Sequence, residues 1–251
     1  MTTDDPRASM SGVEVWRAAD RFVTADSGKT TRHSFSFGRH FDPGNVGFGL
    51  LMVNNDDLLE PSAGYPTHPH RDVEIVTWVL DGALVHRDSA GEGGVIEPGL
   101  AQRLSAGRGV RHSEFNDSAG APLRFVQMWI PPEAPGGDPA YQAHDVADAM
   151  DSDDLVLAAS GMARHRGRAA ITVQNPAAAM WVARLRPDGQ VTLPGAPYVH
   201  VFVAGGSVDV ESVGALDDGD ALRMTDEGGR RVVARTATDL IVWEMHASLG
   251  R

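Results

Sequence analysis

The hydrophobic positions of this chain come in short runs separated by glycine-rich turns. Val13-Glu14-Val15-Trp16 and His33-Ser34-Phe35-Ser36-Phe37 alternate, the period of a strand with one buried face. Phe48 to Asn54 is mostly apolar and reads as a strand buried on both faces, followed by a loop through Asn55–Asp57 and Glu60–Gly64. Val73 to Leu80 is rich in β-branched and aromatic residues. Asp81-Gly82 and a second short run, Ala83 to His86, complete a hairpin signature. Further strands are predicted at Leu100–Leu104, Val110–Phe115 and Leu123–Ile130, with turns at Asp88–Gly94 and Ala106–Gly109. Short strands with turns every ~8–12 residues, and no helical period, predict an all-β antiparallel sandwich or barrel.

The pattern breaks at Pro131–Ser152, which holds four prolines, two glycines and many acids and allows at most a short helix near Ala147. Beyond it the chain repeats itself weakly. Val199–Val203, Ala204-Gly205-Gly206 and Ser207–Val210 match the earlier strand, turn and strand. Leu216–Arg223 echoes Ile96–Arg103, and Leu240–Trp243 echoes Val126–Trp129. These echoes predict two related domains, 1–132 and 156–251, joined by a connector over 133–155.

Composition narrows the function. A net charge of −12 argues against direct nucleic-acid binding, and Lys29 is the only lysine. There are no cysteines, which removes disulfides, thiolate metal sites and a cysteine nucleophile. Met1–Met10 has no apolar run, and no segment reaches membrane-span length. A cytoplasmic protein without membrane contact is expected, and a monomer.

Against this background His68-Pro69-His70 and His112-Ser113-Glu114 stand out. Spacing i, i+2 on a strand puts both side chains on one face. Two such strands would bring three imidazoles and a carboxylate to one point, a ligand set for a divalent transition metal. Glu74, four residues beyond His70, competes with Glu114, and spacing does not choose between them. If it is not a ligand, a buried Glu74 needs a partner such as Arg103, Arg111 or water. His33, His40, His86, His144, His165, His200 and His246 are read as structural, with His40 and His86 as candidates for supporting a ligand. The second half has Thr192 and Pro194 where the first has His68 and His70, and no carboxylate–histidine pair near Ala234, so a metal is expected in the first domain only.

The segments His68–Arg71, Val79–Gly82, His86–Ser89 and Ser105–Glu114, with His33–Gly38 and Val53–Asp56 upstream, resemble the pirin family of the cupin superfamily, closest to bacterial pirin-like quercetinases. The resemblance covers most of residues 13–132. It implies a bicupin, two antiparallel β-barrels (double-stranded β-helices) packed face to face. It also implies one divalent metal held by His68, His70, His112 and Glu114 rather than Glu74. That metal is usually iron, Fe(II), with nickel, manganese, copper, cobalt or zinc as alternatives. The activity it implies is oxidative cleavage of a flavonol such as quercetin by O₂, with CO released and Glu114 as ligand and general base. Phe48, Leu50, Met52, Trp78, Phe115 and Met128 are candidates for an apolar substrate pocket, with core packing the favoured alternative for each. The other function implied is a metal- and redox-responsive regulator acting through a protein partner.

Overall fold

The chain builds strands almost everywhere, and the computed structural model describes residues 9–10, by backbone, and 12–250. In the first half the strands are β1 Ser9–Met10, β2 Val13–Trp16, β3 Phe22–Asp26, β4 Lys29–His33, β5 Val53–Leu59, β6 Gly64–His70, β7 Glu74–Asp81, β8 Leu84–Asp88, β9 Gly93–Ile96, β10 Leu100–Ser105, β11 Val110–Asn116 and β12 Leu123–Ile130. The second half adds β13 Ala140–Asp145, β14 Val156–Ser160, β15 Ala178–Leu185, β16 Gln190–Thr192, β17 Tyr198–Gly205, β18 Ser207–Val210, β19 Gly214–Asp217, β20 Ala221–Thr225, β21 Arg231–Ala234 and β22 Thr238–Met245. Helical structure among the described residues is limited to short 3₁₀ turns, one of them at Ala147–Ser152.

The strands form two large and two small antiparallel sheets. One large sheet has the order β13-β10-β7-β12-β5-β4-β3 and faces the small sheet β6-β11-β8-β9. The other runs β1-β2-β20-β17-β22-β15-β14 and faces β16-β21-β18-β19. The orders match strand for strand from β10-β7-β12-β5-β4 to β20-β17-β22-β15-β14, so the weak sequence echo is a structural repeat and the fold is a bicupin. Its edges are exchanged across the sequence. β2 pairs with β20, Val13 opposite Met224, and β13 pairs with β10, Leu100 opposite Asp145. Two strands therefore hydrogen-bond across the divisions expected at 132 and 155.

Several expected segments are displaced. The apolar run at 48–52 makes a tight turn closed by Phe48 and Leu51, and β5 begins only at Val53. Asn55, Asp56 and Asp57, expected in a loop, lie inside that strand because their side chains are paired there: Asp56 with Arg124 and Asp57 with Thr31 and Tyr65. The hairpin β3–β4 precedes His33–Phe37, where a strand was expected. Its β3 is exposed at every position, so alternation carries no signal.

A shared core of Phe35, Leu51, Trp78, Met128, Phe202 and Trp243 lies between the two large sheets and joins the barrels. The interior of the second barrel is one continuous apolar cluster, including Val199, Val201, Leu222 and Val242. The interior of the first is split. Leu59, Leu84, Ile96 and Phe125 close one end, and Ile75, Leu104 and Val110 close the other. Between them the inner face of the large sheet carries Gln102, Thr77, Gln127, Asn55 and His33, each opposite the next on its neighbouring strand. This polar band faces the strands that carry the histidine pairs.

Candidate metal centre

β11 lies between β6 and β8 in the small sheet, so its inward side chains meet those of both neighbours. His112 is opposite His68 on β6, and Glu114 is opposite His86 on β8. A bulge in the β6–β11 pairing between His112 and Glu114 places Glu114 opposite Tyr65. A bulge of this kind locally twists the strand and re-aims its side chains. Gly64 permits the close approach: a Cβ there would stand 2.3 Å from the Glu114 carbonyl oxygen.

The rings of His68, His70 and His112 converge, with centroids 4.4 Å apart for His68–His112 and 4.8 Å for the other two pairs. One ligand atom from each lies within 4.8 Å of the others. His68 Nδ1 is 2.9 Å from the Pro66 carbonyl oxygen, an acceptor, so Nδ1 carries the proton, an arrangement that in the neutral ring leaves the lone pair on Nε2. The Nε2 atoms of His70 and His112 are buried and have no hydrogen-bond partner. Burial, then the neighbouring imidazoles, pushes His70 down to about 4 and His112 to about 2. Two imidazoles with buried, unsatisfied nitrogens, converging with the ring of His68, suit a bound cation.

Glu114 stands apart from this triad and groups instead with His86 and His112, again within 4.8 Å. Gln127 Nε2 donates to both of its oxygens, at 3.0 and 2.9 Å. Trp129 Nε1 donates to Gln127 Oε1 at 3.0 Å, which fixes the orientation of the amide. The Trp129 ring packs edge-on against His70, centroids 4.9 Å apart. Burial lifts the Glu114 carboxyl to about 7, partly offset by Gln127. His112 thus belongs to both groupings. Among the described residues, both lie in the first barrel.

Glu74 faces the other way, into the space between the barrels. It accepts hydrogen bonds from Ser105 Oγ at 2.9 Å and from the Gln174 backbone at 3.0 Å, with Arg103 as its nearby cation. Trp78 and Met128 on the same face, and Leu50, belong to the core between the barrels, and Phe48 packs against it. They do not line the site. Phe115 is partly exposed, and Met52 packs beside Trp129. The rings that do adjoin the triad are Trp129 and Tyr65, the latter 6.3 Å from His68. A cleft of about 340 Å³ lined by His70, Arg71, Ser89, Val110 and Arg111 opens beside it.

Gln127, Trp129 and Asp57 were not singled out in the sequence, and His86 only as one of two candidates for a supporting role. His86 carried one further signal, its i, i+2 spacing from the core residue Leu84, which turns it inward. Asp57 is buried, accepts from Tyr65 Oη at 2.7 Å and from Thr31 Oγ1, and is pushed by burial up to about 6. Three further histidines have local contacts. His33 bonds Thr24 and Asn55, His40 stacks on Phe22, and His165 bonds Ser160.

Comparison with known proteins places these features in context. The family model described as Pirin matches residues 15–130. A Mycobacterium tuberculosis protein named "Putative quercetin 2,3-dioxygenase" is 54% identical over 95% of this chain and 97% of its own length. The Escherichia coli protein named quercetin 2,3-dioxygenase is 45% identical over 50% of this chain and 54% of its own. Among solved structures, Escherichia coli YhhW aligns with a TM-score of 0.85 at 29% identity, covering 95% of this chain and all of that one. YhhW, described as a bacterial pirin, is also solved in complex with nickel(II), with a TM-score of 0.83, 29% identity and coverage of 94% and 100%.

Proposed function

This chain belongs to the pirin family, and from that premise we propose that it is a metal-dependent dioxygenase that opens the ring of flavonol-like aromatic substrates with O₂. The carrying observation is the convergence of His68, His70 and His112, with Glu114, its carboxyl lifted by burial to about 7, grouped with His112 inside the same barrel. The names of the relatives and the nickel complex of YhhW support the same reading.

In this reading His68, His70, His112 and Glu114 hold one divalent ion, Fe(II) in first place. Bound there, the ion supplies Lewis acidity toward a substrate hydroxyl and a site for redox chemistry with O₂. Glu114 does the proton work. Its carboxylate takes the proton of the flavonol hydroxyl, and the amide of Gln127 steadies the charged form. Trp129 locks that amide and offers an aromatic edge to a flat substrate entering by the cleft at His70.

The test is steady-state quercetin consumption under O₂ by protein reloaded with Fe(II) or Ni(II), with CO measured as co-product. Turnover lost on chelation and restored by metal is expected. Stoichiometric metal without turnover, together with metal-dependent capture of a protein partner, would replace this reading with a regulatory one.

A further inference from the structure

We infer that His86, outside the proposed ligand set, is a positioning residue that holds the His112 imidazole by accepting its Nδ1 proton. This rests on the reading of His112 as a metal ligand. His86 is fully buried on β8, and its Nδ1 lies 3.3 Å from His112 Nδ1. Two ring nitrogens at that distance share one proton, so one ring donates and the other accepts.

The direction follows from the far side of each ring. His112 Nε2 is buried and unpartnered among the imidazoles of the triad. A neutral imidazole that offers Nε2 to a cation must carry its proton on Nδ1. His112 is therefore the donor, and His86 accepts at Nδ1 and keeps its own proton on Nε2. That Nε2 is buried and makes no hydrogen bond, but it has Asp88 Oδ2 3.9 Å away, whose negative charge favours a proton there. His68 has the same arrangement, with the Pro66 carbonyl in the accepting place. Outer partners of this kind orient a ligand ring and raise its basicity.

His86 is itself held. Its ring stacks on Tyr141 of β13, with centroids 5.3 Å apart and planes 27° from parallel. The competing role is ligation, because His86, His112 and Glu114 also offer atoms within 4.8 Å of one another. An asparagine separates the two roles: its Oδ1 can stand where Nδ1 stands and accept, whereas leucine cannot.

The experiment is Ni(II) titration of the full-length wild type, H86N, H86L and H112A, with the visible spectrum of each Co(II)-loaded form. Expected is nickel affinity for H86N within about threefold of wild type and a loss of about 10–100-fold for H86L, with cobalt band positions unchanged in both. H86N as weak as H86L with a shifted cobalt spectrum would make His86 a ligand, and H86L as tight as wild type would leave it no role. Either result overturns His86 alone. A wild type that binds no stoichiometric nickel, or H112A that binds as wild type does, overturns the metal centre and this role with it. Should H86L fail to fold, ¹⁵N-histidine NMR of the zinc-loaded wild type decides. Protons on His112 Nδ1 and His86 Nε2 are expected, and the reverse tautomers refute the inference.

Discussion

Asp57 makes the first barrel's polar interior sensitive to pH. Buried near Glu114 and Asp56, with Arg21 more weakly opposed, it binds a proton more readily folded than unfolded. It therefore favours folding below its unfolded value near 4, and that advantage is lost as pH rises through about 6. An asparagine in its place could accept the same hydrogen bonds without charge. Thermal melts of metal-free Asp57→Asn should match wild type at pH 4 and exceed it by a few degrees (about 5 °C) at pH 8. An equal difference at both pH values would refute the assignment. Among the proposed ligands, His70→Ala should abolish stoichiometric metal binding by elemental analysis. Glu74→Gln should retain it, since Glu74 bonds Ser105 and Gln174 between the barrels; an empty site in that variant would refute the ligand assignment. At this scale the i, i+2 pairs were legible because a strand turns such spacing into a shared face. The contacts of His86 and Asp57 were not, because neither belongs to a ligand pair and their partners come from other strands.

Elements were legible where one face is apolar. β7, β10 and β12 stand close to where their apolar residues and flanking turns placed them, and β11, whose buried face carries His112, Glu114 and Asn116, was bounded by the turn at Ala106–Gly109. β5 was misread because its inward residues are polar and meet partners only in the folded barrel, and β3 because it buries nothing. The exchanged edges were invisible, since no pattern in Val13–Trp16 names a partner as distant as β20. Deleting residues 1–17 removes β2 and the Arg17–Asp220 ion pair (2.7 Å) and uncovers the β20 edge of the second barrel. A lower urea midpoint with unchanged nickel stoichiometry is expected, and an unaltered midpoint would show that the exchange is energetically idle.

At the scale of the molecule, the repeat was legible in its turns and apolar runs, but the contact between barrels was not. Residues such as Trp78 and Met128 look the same from sequence whether they face a substrate or a neighbouring sheet. Their burial with Phe202 and Trp243 in one core predicts that the barrels unfold together. Denaturant curves followed by fluorescence and by circular dichroism should coincide, and separate transitions would refute the coupling. Trp243→Ala, which also strands Met128 Sδ, should cost about 3–5 kcal/mol in such curves.

The exchanged edge also orders events during synthesis. The first barrel has all its strands once β13 leaves the ribosome, whereas β2 must wait for β20, roughly 200 residues after it. At ~5–20 residues per second that interval is about 10–40 s. Through it β2, paired only with β1, presents an open edge beside a finished barrel. The second barrel is completed by a strand made before any of those in its own half of the sequence.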